Sequence, residues 1–196
     1  MTTNKARARG RPRRFDPDEG VATAQQLFHA RGYDAVSVAD VTEALGINPP
    51  SFYGAYGSKA QLYGRVLDRW AITGAIPMSD ILRPDRPVAE ALVDLLEEAA
   101  RRYAGAPEAT GCLVLEGTRS NDRDARDAAC GVNRAAEEAI RAYIAARHPD
   151  EADRLTDFVS TTMSGLSAKA RNGNSLDQLL STARLAGTAI AGVLPA

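Results

Sequence analysis

Residues 37–53 read SVADVTEALGINPPSFY, a pattern of two short helices joined by a tight turn. Ser37 can cap the first helix with its side-chain oxygen, and Gly46 provides the backbone freedom needed to leave it. Asn48 can cap the second helix, with Pro49 at the first helical position, where a missing N–H costs nothing. This arrangement predicts a helix-turn-helix, whose second helix normally lies in the major groove of DNA.

The second of these helices is expected to have one buried side and one exposed side. Phe52 and Tyr56 lie one turn apart and can anchor the helix to a core. Tyr53 cannot face inward together with Phe52 on so short a helix, and we therefore expect it to face outward, although core packing is the alternative. The residues left for the exposed side are Pro50, Ser51, Tyr53, Gly54 and Ala55.

One helix is predicted before this unit and one after it. The first begins at 16–19 (DPDE), with acidic residues in its first turn, and Gly32 ends it. Ser58 caps a fourth helix that runs to about residue 74. The Pro-rich segment 76–87 then marks a domain boundary.

The remainder of the chain also has helical periodicity. We expect helices at about 88–103, capped by Asp85, and at 123–147, 150–171 and 175–194. The apolar run 112–115 has the length of a strand, but the sequence offers no second strand to pair with it, and a buried helix is favoured. The fold class predicted is therefore all-α, with about nine helices in total.

The basic residues are concentrated at the amino end. The chain has a formal net charge of −1, yet residues 1–14 contain no acid and carry Lys5, Arg7, Arg9, Arg11, Arg13 and Arg14. We expect a disordered arm that contacts phosphates or the adjacent minor groove. A solvated tail without a fixed partner is the alternative.

Several other classes of protein find little support in the sequence. Cys112 and Cys130 are too few and too far apart for a disulfide framework or a zinc finger, and no metal or cofactor is predicted. No hydrophobic leader or long apolar run is present, which favours the cytoplasm and argues against a membrane partner. His29 and His148 are isolated, and His29 is expected to be a helix-end histidine. The alternative functions are non-specific nucleic-acid binding through the arm and a helical enzyme with an unrecognised site.

Four segments together carry a resemblance to a known family. They are 28–33 (FHARGY), 36–41 (VSVADV), 45–53 (LGINPPSFY) and 56–63 (YGSKAQLY). In order and spacing they resemble the TetR/AcrR-type bacterial transcriptional regulators. The segment GINPPS with its GRPR leader is most similar to the branch that contains copper-responsive and electrophile-responsive repressors. The specific motifs cover the first third of the chain, and beyond it the resemblance is one of helix pattern and a Gly-Cys-Leu sequence at 111–113.

The resemblance implies a three-part organisation and a set of DNA contacts. The parts would be a basic arm (1–14), a three-helix DNA-binding domain (15–74) and an effector-binding and dimerisation domain (75–196). Tyr53, Lys59 and Ser37 would contact phosphates, the last through its backbone N–H and hydroxyl. The residues expected to read bases are Asn48, Pro50, Ser51 and Gly54, and the arm would contribute Arg9, Arg11, Arg13 and Arg14.

The family also implies a twofold dimer and a ligand pocket. The last two helices would form a four-helix bundle with their mates, and the small residues Ala183, Gly187 and Ala191 would permit close approach; packing within the chain is the alternative. Such a dimer would bind a palindromic operator as a repressor and leave it when a small molecule binds. The pocket candidates, each of which can instead be simple core, are Trp70, Tyr103, Cys112, Tyr143, Phe158 and Met163.

Cys112 has a second expected role. It follows Gly111 near a helix start, where the helix dipole lowers the pKa of a thiol, and its setting resembles that of cysteines that sense electrophiles or oxidants. The alternative is a small buried hydrophobic residue.

Overall fold

The computed structural model describes residues 15–105 and 108–194, and every regular element in these ranges is helical. Nine α-helices have five or more residues, one has a single turn, and a 3-10 turn precedes α9, which agrees with the predicted fold class. The elements are α1 (Pro17–Arg31), α2 (Val38–Leu45), α3 (Pro49–Tyr56), α4 (Lys59–Thr73), α5 (Met78–Ile81), α6 (Val88–Ala104), α7 (Leu113–Gly117), α8 (Arg123–Ala145), the 3-10 turn Pro149–Glu151, α9 (Ala152–Arg171) and α10 (Leu176–Val193). Within these ranges no helix combines the length and the apolar character that crossing a membrane requires.

The predicted helix-turn-helix is present, and local capping explains its bounds. The Oγ atom of Ser37 accepts a hydrogen bond from the Asp40 backbone N–H, and the Asp40 carboxylate accepts one from the Ser37 backbone N–H, which completes a capping box. Gly46 ends α2 with a φ of 63°, a left-handed conformation that favours glycine. Asn48 caps α3 through a bond of 2.9 Å from the Ser51 backbone N–H to its Oδ1 atom. The tight turn therefore follows from side chains that the sequence places at its ends.

The amino-terminal core is built by α1 to α4 and completed from later in the chain. Its largest buried members include Phe28, Phe52, Tyr56, Leu62 and Tyr63. Four buried residues of α7 and α8 belong to the same cluster, and they are Leu113, Val114, Ala125 and Ala129. Helices from beyond the Pro-rich segment thus complete this core from the side of α4.

The second core lies among α6, α8, α9 and α10, with α6 packed against both α9 and α10. It is formed mainly by aliphatic side chains at helical spacing, such as Leu92, Leu95 and Leu96 of α6. The predicted start of α6 is wrong in one detail. Pro87 precedes the helix without a side-chain cap, because the Asp85 carboxylate is instead bonded to Arg83.

Two of the small residues predicted to face a partner subunit face this core. Ala183 and Gly187 are buried, and a Cβ atom on Gly187 would lie 2.7 Å from the Cγ2 atom of Val93 on α6. Only Ala191 of the three is exposed. The small residues of α10 therefore bring it close to α6 within the chain, which is the alternative that the sequence left open.

Candidate nucleic-acid interface

One face of α3 is exposed because the opposite face is fixed in the amino-terminal core. Phe52 and Tyr56 are buried, and the Tyr56 hydroxyl donates a hydrogen bond of 2.9 Å to the Pro17 carbonyl of α1. Tyr53 faces outward, as predicted, and 52% of its surface is exposed. The other exposed residues of this face are Pro50, Ser51 and Gly54. A rigid helix thus presents one aromatic ring and several small side chains to solvent.

The capping residues near this face are exposed but partly engaged. Asn48 uses its Oδ1 atom in the cap, so its side-chain amide nitrogen remains the group that can donate to a base edge. Ser37 directs both its backbone N–H, at 2.7 Å, and its hydroxyl to the Asp40 carboxylate. These are the two donors that the sequence assigned to a phosphate. The N–H groups of Val38 and Ala39, which a helix start leaves without intrahelical partners, are the donors nearest to them in the chain.

Asp40 has a second partner that fixes the start of α2. Arg31, at the end of α1, donates to its Oδ1 atom at 2.8 Å. The hydrogen bonds from Ser37, and then that from Arg31, hold the pKa of the Asp40 carboxyl well below its usual range. The cap is therefore charged at neutral pH.

Lys59 is only partly exposed, and its ammonium group is engaged with the turn before α2. Its Nζ atom donates to the carbonyl oxygens of Tyr33, at 3.1 Å, and Val36, at 2.9 Å, and lies 3.9 Å from the centre of the Tyr33 ring. Burial lowers the pKa of this ammonium group from its usual value. Two of its three N–H donors thus hold the turn between α1 and α2, and one remains.

The same turn is bonded to the start of α8, a contact that sequence reasoning missed. The Tyr33 hydroxyl donates to Oδ2 of Asp122 at 2.9 Å. Nearby, the Oδ2 atom of Asp34 accepts bonds from the backbone and side-chain nitrogens of Asn121, at 2.9 and 3.0 Å. Tyr33 stands in a recognisable motif, but its partner is 89 residues away and no local pattern indicates the pairing. The predicted arm contacts Arg9, Arg11, Arg13 and Arg14 lie outside the described residues.

A cavity of about 310 Å³ lies between α4 and the helices of the second core. Four of the predicted pocket residues line it, namely Trp70, Tyr103, Cys112 and Met163. The rest of the wall is largely apolar and comes mainly from the segment between the end of α4 and the start of α5, and from α7 and α8; its polar members are Arg102, Asn133, Glu137 and Ser160. Such a wall suits a small, mostly apolar molecule.

Two predicted pocket residues do not line this cavity. The Tyr143 hydroxyl donates to the carbonyl oxygens of Arg83 and Arg86, so its ring covers the segment before α6. Phe158 points away from the core of α9 and is 38% exposed. Both residues share a helical period with core residues, but the period alone does not fix which side of the helix is inward.

The chemistry of Cys112 differs from the sequence expectation. It stands at the start of α7 as predicted, but burial raises the pKa of its thiol and outweighs the backbone N–H groups of Leu115 and Val114, which favour the thiolate. Among the described residues, no three His, Cys, Asp or Glu side chains cluster closely enough to hold a metal ion.

His29 connects the amino-terminal helices to the wall of the cavity. Its Nε2 atom lies 3.0 Å from the Gly111 carbonyl, and its ring packs edge-on against Trp70 with centres 4.8 Å apart. Burial lowers the pKa of the imidazole, and the guanidinium of Arg171 acts in the same direction, while the bond to Gly111 opposes them. This helix-end histidine is therefore neutral at pH 7 and can donate to the Gly111 oxygen.

Comparisons with known proteins agree with this geometry. Residues 21–66 match the family described as bacterial regulatory proteins, tetR family. The HTH-type transcriptional repressor BdcR of Escherichia coli K12 is 56% identical over 194 residues, which is 99% of this chain and 98% of that protein. ComR, another HTH-type transcriptional repressor of the same organism, is 28% identical over 94% of this chain and 91% of its own length. A cysteine mutant of the TetR family transcriptional regulator CifR, in complex with 26-base-pair operator DNA, has a similar structure, with a TM-score of 0.82, 28% identity, and coverage of 91% of this chain and 99% of that one.

Proposed function

Since this chain belongs to the TetR family of bacterial regulatory proteins and is a DNA-binding transcriptional regulator rather than an enzyme, we propose that it is a repressor. It binds a palindromic operator as a homodimer in the cytoplasm and leaves the operator when a small molecule enters its cavity. The observation that carries the proposal is the rigid α3 helix, anchored by Phe52 and Tyr56 and exposed on the opposite face. The repressor BdcR and the operator complex of CifR support it.

The residues proposed to contact DNA divide into those that position the protein and those that read sequence. Tyr53 contacts a phosphate through its hydroxyl, and Lys59 reaches one through its remaining N–H. Ser37 caps α2 so that the N–H groups at the start of that helix face the DNA backbone. Base edges are read by Asn48, Pro50, Ser51 and Gly54, with Pro50 against a thymine methyl. The arm residues Arg9, Arg11, Arg13 and Arg14 add salt-sensitive affinity.

Selection of bound sites from random duplexes, followed by fluorescence anisotropy, tests these roles. Tyr53→Ala should weaken binding to every duplex alike, because a phosphate contact carries no sequence information. Ser51→Ala should change the preferred base at one position, by a factor that corresponds to about 1–3 kcal/mol. Ser79→Ala, at an exposed helical serine far along the chain, is the matched control. A uniform loss of affinity in Ser51→Ala, with preference unchanged, would contradict its assignment.

The proposed dimer uses the sides of α9 and α10 that face away from their own core. Leu185 of α10 is 73% exposed, and Phe158 lies at the edge of the corresponding side of α9. Small residues surround these two side chains and permit close helix packing. They are Thr161 and Gly165 on α9 and Ala189 and Gly192 on α10. Two such pairs related by a twofold axis form a four-helix bundle and place two α3 helices on half-sites about 34–36 Å apart.

The dimer is tested by a charged substitution with a matched control. Leu185→Glu buries an unpaired carboxylate in the proposed interface, and we expect a monomer by sedimentation velocity, with most operator affinity lost. Ile72→Glu introduces the same charge at a side chain of α4 that is 87% exposed, and we expect a wild-type dimer. Dimerisation that survives Leu185→Glu, or a wild-type chain that sediments as a monomer, would contradict this interface.

The proposed effector acts through Trp70, which brings α4 into the cavity wall. We expect the ligand to bind more tightly to a conformation in which α4 is displaced and the dimer does not fit its operator. The difference between the ligand's affinities for this conformation and for the DNA-bound one then lowers operator affinity by about 1–3 kcal/mol, or 5- to 150-fold. Ala136→Phe fills part of the cavity, and we expect it to weaken operator binding within that range. Ala139→Phe, exposed on the same helix, should not. Equal operator affinity of the two variants would contradict the coupling.

Modification of Cys112 is a second candidate for the signal, because the thiol lines the cavity. An electrophile that enters the cavity would reach it without any change of fold. Titration of the reduced protein with a thiol electrophile, while operator affinity is followed, separates the two routes. A response that persists unchanged in Cys112→Ser would exclude the covalent one.

A further inference from the structure

The turn between α1 and α2 is held by Lys59 of α4 and by Asp122, which caps α8 in the second half of the chain. Tyr33 is buried, and its hydroxyl meets the Asp122 carboxylate at 2.9 Å. Lys59 of α4 holds the main chain of the same turn through the carbonyl oxygens of Tyr33 and Val36. Its ammonium group also lies over the Tyr33 ring, so the side chain and the main chain of the turn are fixed together.

Asp122 is itself held in one orientation. Its Oδ1 atom accepts a bond of 3.1 Å from the Ala125 backbone N–H and so caps α8, while its Oδ2 atom serves Tyr33. The bonds from Ala125 and Tyr33 lower the pKa of this carboxyl group, so it is ionised at neutral pH and is a strong acceptor. A carboxylate that caps a long helix is a rigid support for the turn.

The turn leads directly into the surface that meets DNA. Ser37, which caps α2, follows Val36 in the chain, and α3 begins after the tight turn of the helix-turn-helix. A rotation at Tyr33 would therefore move the start of α2 relative to the phosphates. Fixed donors bind an anion better than mobile ones, because no ordering remains to be done on binding.

We propose that Asp122 is a positioning residue for DNA binding, which holds Tyr33 and thereby sets the start of α2 against the DNA backbone. The inference rests on the proposed function, since it concerns the same DNA contacts. It assigns a role in operator affinity to the capping residue of α8, which lies far along the chain from the helix-turn-helix.

The test is a double-mutant cycle on operator affinity. Tyr33→Phe removes only the hydroxyl, and Asp122→Ser keeps a capping oxygen for α8 but is too short to reach Tyr33. Each single variant should weaken binding by about threefold to tenfold, the range expected for one hydrogen bond. The double variant should bind no more weakly than the weaker single one. In Asp122→Asn the amide oxygen can still cap α8, and the amide N–H can donate to the Tyr33 hydroxyl oxygen, so this variant should restore binding to within about twofold.

A merely structural role is separated by a matched control and a second readout. Tyr143→Phe removes a hydroxyl that donates to the carbonyl oxygens of Arg83 and Arg86, outside the DNA-binding helices. We expect this variant to have lower thermal stability, while the operator affinity of its active fraction is unchanged. Wild-type affinity in both Tyr33→Phe and Asp122→Ser, or strictly additive losses in the double variant, would overturn the proposal. If the wild-type chain itself showed no preference for a selected operator over random DNA, the proposed function would fail instead.

Discussion

Gly20 lies in the first turn of α1, beside the hydroxyl group of Tyr56, the last residue of α3. A Cβ atom at this position would fall 2.0 Å from the Tyr56 hydroxyl oxygen and 3.1 Å from the ring of Phe15. The Tyr56 hydroxyl cannot simply move aside, because it donates to the Pro17 carbonyl and the ring is buried. Gly20→Ala should therefore displace the anchor of the recognition helix.

The cost follows from three contributions. Overpacking a buried contact costs about 1–3 kcal/mol, and loss of the bond to Pro17 adds about 0.5–1.5 kcal/mol. Alanine is the better helix former, which offsets about 0.5–1 kcal/mol. We expect the free energy of unfolding to fall by about 2 kcal/mol, and operator affinity to fall with it, since α3 no longer sits in its native position.

Urea denaturation and fluorescence anisotropy measure the two effects, and Tyr56→Phe provides the decisive background. Without the hydroxyl, the contact of 2.0 Å is removed and the ring of Phe15, at 3.1 Å, becomes the nearest neighbour, so Gly20→Ala should cost at least about 1 kcal/mol less in Tyr56→Phe than in the wild type. Gly131→Ala is the matched control: its added methyl group meets nothing within 4 Å, and it should raise stability by about 0.5–1 kcal/mol. An equal cost of Gly20→Ala in both backgrounds would refute the reasoning.

Three further predictions concern the core, the histidine and the cavity thiol. Gly187→Ala places a methyl group 2.7 Å from Val93 and should unfold at lower urea concentration than the wild type, whereas Gly131→Ala should unfold at higher; the reverse order would contradict the tight α6–α10 contact. Because burial lowers the pKa of His29 below 6.5, the folded state binds fewer protons than the unfolded chain, so stability is complete above about pH 6.5 and declines as pH falls below it. Urea titrations from pH 7.5 to pH 5 should show this decline in the wild type and a smaller one in His29→Gln; equal slopes would contradict the assignment. Because burial raises the pKa of Cys112, iodoacetamide should label it more slowly at pH 7 than a free thiol, as followed by mass spectrometry, and labelling at the free-thiol rate would contradict it.

The helix-turn-helix could be predicted because its determinants are local. Ser37, Gly46 and Asn48 mark the helix ends within a few residues of the positions they control, and the spacing of Phe52 and Tyr56 fixes which side of α3 is buried. Capping and one-turn periodicity are properties of neighbouring residues, and the structure reproduces them.

The contacts between distant helices could not be predicted in the same way. Periodicity places Ala183 and Gly187 on one face of α10, but it does not say whether that face meets α6 or a partner subunit. The same limit explains why Phe158 and Tyr143 do not line the cavity. For Cys112, the helix start was predicted, yet the direction of its pKa shift depends on burial by residues far along the chain.

The shared core of the amino-terminal helices limits how this regulator can be divided. Leu113, Val114, Ala125 and Ala129 complete the amino-terminal core from the side of α4, so a fragment that ends after α4 would expose that side to water. The DNA-reading unit is thus not an autonomous module, and the whole chain should melt in a single cooperative transition. A chimera that grafts residues 15–74 onto a related body must transplant those four side chains as well.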